Sequence, residues 1–116
     1  MVTAATLREL ALALPDAEEV PTWGGDPGFK VHGKLFAHLY PDGDRLSVKI
    51  DPHERELLLR AEPRKFACTV RSMPFVEVGL ASIDREELAE LLEEAWRLAA
   101  PRSLVAAFDE RRERLG

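Results

Sequence analysis

The chain of 116 residues carries a formal net charge of -5 and a pI near 5.2, with 46% hydrophobic and 32% charged residues. That length fits one core and not two independent ones, and the composition excludes a disordered tail or a fibre. The acidic balance excludes a strong non-specific grip on nucleic acid, which needs many Lys and Arg contacts to phosphate, so any such binding has to come from a local patch.

The first segment places Leu7, Leu10, Ala11 and Leu14 on one stripe of a helix, with Thr6 and Glu9 spaced as a capping box and Pro15 and Asp16 as its stop. A turn-rich stretch, "AEEVPTWGGDPG", follows, and the apolar period then changes from helical to two. The turn "PDGD" pairs Leu39 with Leu46, His38 with Ser47, Ala37 with Val48 and Phe36 with Lys49. This register puts Leu35, Ala37, Leu39, Leu46, Val48 and Ile50 on an apolar face, and Phe36, His38, Tyr40, Arg45, Ser47 and Lys49 on the other. A loop "HGK" aligns Phe29 and Val31 with the apolar face and sets Lys30 beside Phe36, with Gly33 supplying the unusual backbone angle.

Asp51 and Pro52 open a short helix that ends at Pro63. A second hairpin is predicted from "FACTV" and "FVEVGL", with Phe66, Cys68, Val70, Val76, Val78 and Leu80 on one face. Asp84 caps the clearest helix, whose stripe is Leu88, Leu91, Leu92, Ala95, Trp96 and Ala99, and Pro101 starts a last one around Leu104, Val105 and Phe108 that frays in "DERRERLG". The expected architecture is α+β, one domain over residues 1–116. An antiparallel sheet of about five to six strands is packed on one face by helices, in the order helix, three or four strands, short helix, two strands, two helices.

No apolar run approaches the roughly 20 residues that cross a bilayer, and the N-terminus lacks a basic segment ahead of an apolar one, so no membrane partner and no signal peptide are predicted. Cys68 is the only cysteine, which leaves no internal disulfide or CxxC site and predicts a cytoplasmic protein.

The chemistry-bearing residues form no catalytic motif. His32, His38 and His53 make no HxH or HExxH pair, the serines have no GxSxG context, and "WGGDPG" lacks the Lys and Ser or Thr of a phosphate loop. Neither an enzyme, a metal site nor a cofactor is expected. The outer sheet face is different: Lys30, Lys34, Phe36, Tyr40, Arg45 and Lys49 make it basic and aromatic, a combination that contacts phosphates and stacks bases. The expected function is non-enzymatic binding of DNA or RNA, weak and salt-sensitive. The alternative is a protein or peptide interaction module on the same face or its edge strand, and a third reading, a small-ligand site, needs a concave pocket near Trp23, His38 and Cys68.

"LRELALALPDAEE", "FKVHGKLFAHL", "DPHERELLL" and "ELLEEAWRLAAPRSLVAAFD" together resemble, in order and spacing, the MmcQ/YjbR-like bacterial proteins over nearly the whole chain. That resemblance implies a CyaY-like, double-wing α+β fold and a DNA-binding role, with Lys30, Gly33, Lys34 and Phe36 in the family's hairpin motif. Members often carry Trp in the second hairpin where this chain has Phe75. Iron binding, as in frataxin relatives of the fold, is not implied, since the first helix offers only Glu9.

Overall fold

The computed structural model describes residues 2–115, and Met1 and Gly116 lie outside them. Ten regular elements follow in order: α1 (Ala4–Leu12), β1 (Ala17–Pro21), β2 (Pro27–Val31), β3 (Lys34–Leu39), β4 (Arg45–Lys49), α2 (Pro52–Ala61), β5 (Phe66–Ala67), β6 (Phe75–Gly79), α3 (Arg85–Ala99) and α4 (Arg102–Leu115), with 3-10 turns at Trp23–Gly25 and Leu80–Ser82. The strands form one six-stranded sheet in the order β1-β2-β3-β4-β6-β5, and every pairing is antiparallel. This is the expected α+β class; the unforeseen strand is β1, which lies inside the stretch that reads as a turn.

Helix α3 is the centre of the helical layer because its stripe is apolar along its whole length. Leu88, Leu92, Ala95, Trp96 and Ala99 are all buried, against Phe29, Val31, Ala37, Leu39, Leu46, Val48, Val76 and Val78 of the sheet. Trp96 satisfies its indole by donating to the Pro15 carbonyl at 2.9 Å, which ties α3 to the end of α1. The α1 cap differs from expectation: Thr3, not Thr6, is the N-cap, and Thr6 returns the bond to the Thr3 backbone. Helix α4 packs Phe108 edge-on against Trp96 at 5.0 Å, and its mixed charge is organised by Arg97–Asp109 and Arg112–Glu93 pairs.

Two departures from the expected register decide what the outer face looks like. The first is at the β2–β3 hairpin. Val31 pairs with Lys34, so the turn has two residues, His32 and Gly33, both at positive φ (48° and 80°), the primed geometry that matches strand twist. A two-residue turn alone would slip the apolar alternation by one. The chain recovers it with a β-bulge, because Phe29 pairs with Ala37 while Lys30 pairs with Leu35, leaving Phe36 as the extra residue. Phe36 is therefore in the core, fully buried, and Leu35 takes the outer side. The expected placement of Phe36 outside and Leu35 inside is reversed. The three later pairs, Ala37–Val48, His38–Ser47 and Leu39–Leu46, are as expected.

The second departure is in β5, which has two residues rather than five. Phe66 keeps its core position, but Cys68 is only half-buried and Val70 is 50% exposed. The chain leaves the sheet because Glu77, on the outer side of β6, accepts the Thr69 backbone N–H at 2.8 Å in place of a ladder bond. The segment after β5 then arches over the outer face.

Candidate functional site

The site is built where two loops cross the outer side of the sheet. The first is the β1–β2 connection. Thr22 closes it, donating through both its backbone N–H and its Oγ1 to the Asp26 carbonyl at 2.7 Å, and Gly24 and Gly25 take positive φ. Gly28 lets this loop lie flat: a Cβ there would stand 2.3 Å from the Thr22 Cγ2. The close approach carries Trp23 over the sheet, where its ring meets His38 edge-on at 5.2 Å while remaining 63% exposed.

The second loop joins β5 to β6 and is held by a residue that periodicity does not single out. Arg55 of α2 is 5% exposed, and its guanidinium donates to the carbonyls of Met73 at 2.6 Å, Phe75 at 3.2 Å and Arg71 at 3.2 Å. A buried cation that satisfies three carbonyls fixes the loop's path. The positions of Met73 and Phe75 follow from it.

Between the loops lies a pocket of about 380 Å³, lined by Trp23, Leu35, His38, Tyr40, Ser47, Val70, Met73, Phe75 and Glu77. Its floor is outer-face sheet: His38 and Ser47 are directly paired across β3 and β4, and Ser47 is paired in turn with Glu77 of β6. His38 is nine-tenths buried between Trp23 and Tyr40, whose ring lies 5.1 Å away. Its Nε2 has no hydrogen-bond partner among the described residues, and Asp26 Oδ2 stands 3.6 Å from it. Glu77, by contrast, is committed: Thr69 N–H and Arg45 Nη1 (3.4 Å) both donate to it. Burial raises the Tyr40 phenol above its ordinary pKa, the Glu77 charge raises it further, and the Arg45 guanidinium, 4.5 Å from the ring, opposes both.

A second cavity of about 420 Å³ adjoins the first and shares Trp23 and Leu35 with it; Pro21, Thr22, Lys30 and Gly33 complete its lining.

Of the six residues expected on this face, the structure brings together Lys30, Tyr40, Arg45 and Lys49. Arg45 is spent internally on Asp42 and Glu77, and Lys49 lies 5.9 Å from the Phe75 ring. Lys34 pairs with Val31 at the hairpin end, on the side of the core residues, and is solvent-exposed; Phe36 is inside. Glu18 stands opposite Lys30 in the sheet, so Lys30, Arg45 and Lys49 share the outer face with Glu18 and Glu77, close to charge balance. The face is aromatic as expected, but it is concave, and it is nearly neutral where a basic surface was predicted. Phe75 reaches this face as the first residue of β6, opposite Lys49, whereas Trp23 comes from a loop whose path strand periodicity does not describe. Among the described residues, no group of three or more His, Cys, Asp or Glu side chains is arranged to hold a metal ion.

The YjbR family model matches residues 12–98, well over half of the chain. The chain belongs to the YjbR family. It is similar to the uncharacterised proteins Mb2600 of Mycobacterium bovis and Rv2570 of Mycobacterium tuberculosis, each 38% identical over 71 residues. Those matches cover 59% of this chain and 55% of the relatives, so the chain spans little more than half the length of the curated proteins it matches. Its structure resembles the crystal structure of Deinococcus radiodurans protein DR2400, which has a DUF419 domain, with a TM-score of 0.72 and 29% identity over 84% of this chain and 78% of that one. The match to the family model takes in both loops that build the pocket as well as the sheet beneath them.

Proposed function

We propose that this YjbR protein is a non-enzymatic binding protein whose outer sheet face receives the planar, aromatic part of a ligand. The observation that carries the reading is the pocket under Trp23: a mainly apolar concavity walled by Trp23, Tyr40 and Phe75, with His38 Nε2, which has no hydrogen-bond partner among the described residues, buried beside it. Sites of this size, with few polar groups converging on an apolar lining, are how proteins hold small organic molecules. A hydrolytic reading has less support. Ser47 and His38 are neighbours across the strands, yet no hydrogen bond joins their side chains among the described residues, and Asp26 stands beyond hydrogen-bond distance of His38. Residence in the cytoplasm belongs to the same proposal and rests on the single cysteine. Among the described residues, no helix is long and apolar enough to cross a membrane.

Single-stranded nucleic acid is the second reading. It is favoured by Lys30 and Lys49, which flank the pocket and form no ion pair among the described residues: one base would enter the pocket and neighbouring phosphates would meet the two lysines. The exposed apolar rim of Trp23, Val70 and Met73 would suit a protein partner instead.

One titration separates these readings. Amide chemical shifts are followed while indole, a mononucleotide and a short single-stranded oligonucleotide are added at two salt concentrations. Shifts confined to Gly28, His38, Ser47 and Phe75 with indole, insensitive to salt, are expected. Binding of the oligonucleotide alone, with affinity falling steeply as salt rises, would replace the small-ligand reading with the nucleic-acid one.

A further inference from the structure

Trp23 and Leu35 line both outer-face cavities, so the two lie side by side, and the two ends of the pair differ in chemistry. The first end is aromatic. Its one carboxylate, Glu77, is already engaged by Arg45 and Thr69, so it offers little to a ligand cation. The second end is lined by Pro21, Thr22, Trp23, Gly33, Leu35 and a single charged side chain, Lys30. Lys30 is half-buried and pairs in register with Glu18, yet it forms no ion pair among the described residues. The other basic residues differ: Arg45 is bound to two carboxylates, and Lys49 lines neither cavity. An uncommitted ammonium group one cavity away from an aromatic box defines what can occupy both at once.

We infer that the ligand is an aromatic anion, whose ring fills the cavity walled by Trp23, His38, Tyr40 and Phe75 and whose carboxylate or phosphate meets Lys30. The inference rests on the small-ligand reading and deepens it by naming the class. Trp23 is the element that makes the two subsites one site, since its ring borders both. The Gly28 position matters for the same reason: the close passage of Thr22 over it holds Trp23 in place. Partial desolvation strengthens a charge-assisted contact at the Lys30 end, while the apolar end contributes area without regard to charge. Discrimination between an anion and its neutral isostere therefore resides in one side chain.

The test uses the full chain and three indole probes of matched ring: indole-3-acetate, indole-3-acetamide and indoxyl phosphate, titrated by amide chemical shift into the wild type, Lys30→Met and Lys34→Met. In the wild type at least one anion is expected to bind about tenfold tighter than the amide, the scale of one charge-assisted contact. Whether acetate or phosphate leads identifies the anion. In Lys30→Met the preference is expected to vanish with the amide affinity unchanged, and in Lys34→Met, on the other side of the hairpin, it is expected to persist. Neither anion binding tighter than the amide in the wild type, or an unchanged preference in Lys30→Met, overturns the anion assignment and leaves the pocket reading standing. Failure of all three probes to shift Gly28, His38, Ser47 and Phe75 overturns both.

Discussion

Replacing Phe36 by alanine separates the bulged register from the regular one with a large margin. In the regular register Phe36 is an outer-face residue, and truncating it removes part of an exposed surface, a change of about 0.5 kcal/mol or less. In the bulged register the side chain is fully buried beneath the helical layer, among the largest buried groups of the chain. Phe→Ala at such a site loses the transfer free energy of the ring and leaves a cavity, together about 3 to 5 kcal/mol. With an unfolding entropy of about 2.1 cal/mol/K per residue, a 116-residue domain has roughly 0.24 kcal/mol/K at its midpoint, so Tm is expected to fall by about 12 to 20 °C. The assay is thermal unfolding followed by far-UV circular dichroism, with Leu35→Ala as the companion. Leu35 is half-buried on the outer side, so its truncation costs less stability while enlarging the two cavities it lines. A Tm loss under about 3 °C for Phe36→Ala, or a larger one for Leu35→Ala, refutes the bulge and restores the regular alternation.

Arg55→Met strips three carbonyls of their buried donor and is expected to cost roughly 2 to 4 kcal/mol; hydrogen exchange should accelerate at Thr69, Met73 and Phe75 first, because the β5–β6 loop is what Arg55 holds. Tyr40 is the only tyrosine, so phenolate absorbance near 295 nm reports it alone; its midpoint is expected above the ordinary value of 10.0, and Glu77→Gln should bring it part of the way back, burial remaining as the larger cause. Because the folded value is the higher one, this contribution to stability is fully present below about pH 10 and is lost as pH rises through the raised value. At the acid end, the hydrogen bond from Arg97 holds the Asp109 carboxyl below its usual range, so the pair's contribution to α4 docking is present above the unfolded value and lost as pH falls through the depressed one. The Tm difference between wild type and Asp109→Asn should accordingly shrink on acidification. Gly28→Ala should displace Thr22 and swing Trp23 off His38, read as a change in the indole emission of Trp23 while the buried Trp96 keeps its own.

How much of the molecule can be read from the chain alone depends on the range of the interaction that decides each feature. The stripe of α3, the Asp51 and Asp84 caps and the Ala37–Val48 ladder are local patterns, repeated at 3.6 or 2 residues and reinforced by turn chemistry, and they form as the sequence predicts. Two expectations failed for one shared reason. Phe36 and Cys68 sit in stretches whose alternation is compatible with either face, and competing demands settle which is used: the two-residue turn at His32–Gly33 displaces the first, and Glu77 capturing Thr69 N–H ends the strand before the second.

The candidate site shows the same division. Lys30, His38, Tyr40, Arg45, Ser47 and Lys49 take the outer face because strand periodicity alone assigns it, so the sequence by itself determines that this face is mixed aromatic and charged. Whether the face is flat and basic or concave and nearly neutral is decided by contacts between residues far apart in the chain: Thr22 over Gly28, Arg55 under the 71–75 loop, and Arg45 drawn onto Glu77. Only the tertiary structure brings Trp23 and the 70–73 segment over His38, because loop paths follow from packing and hydrogen-bond satisfaction across the fold, which no local period encodes.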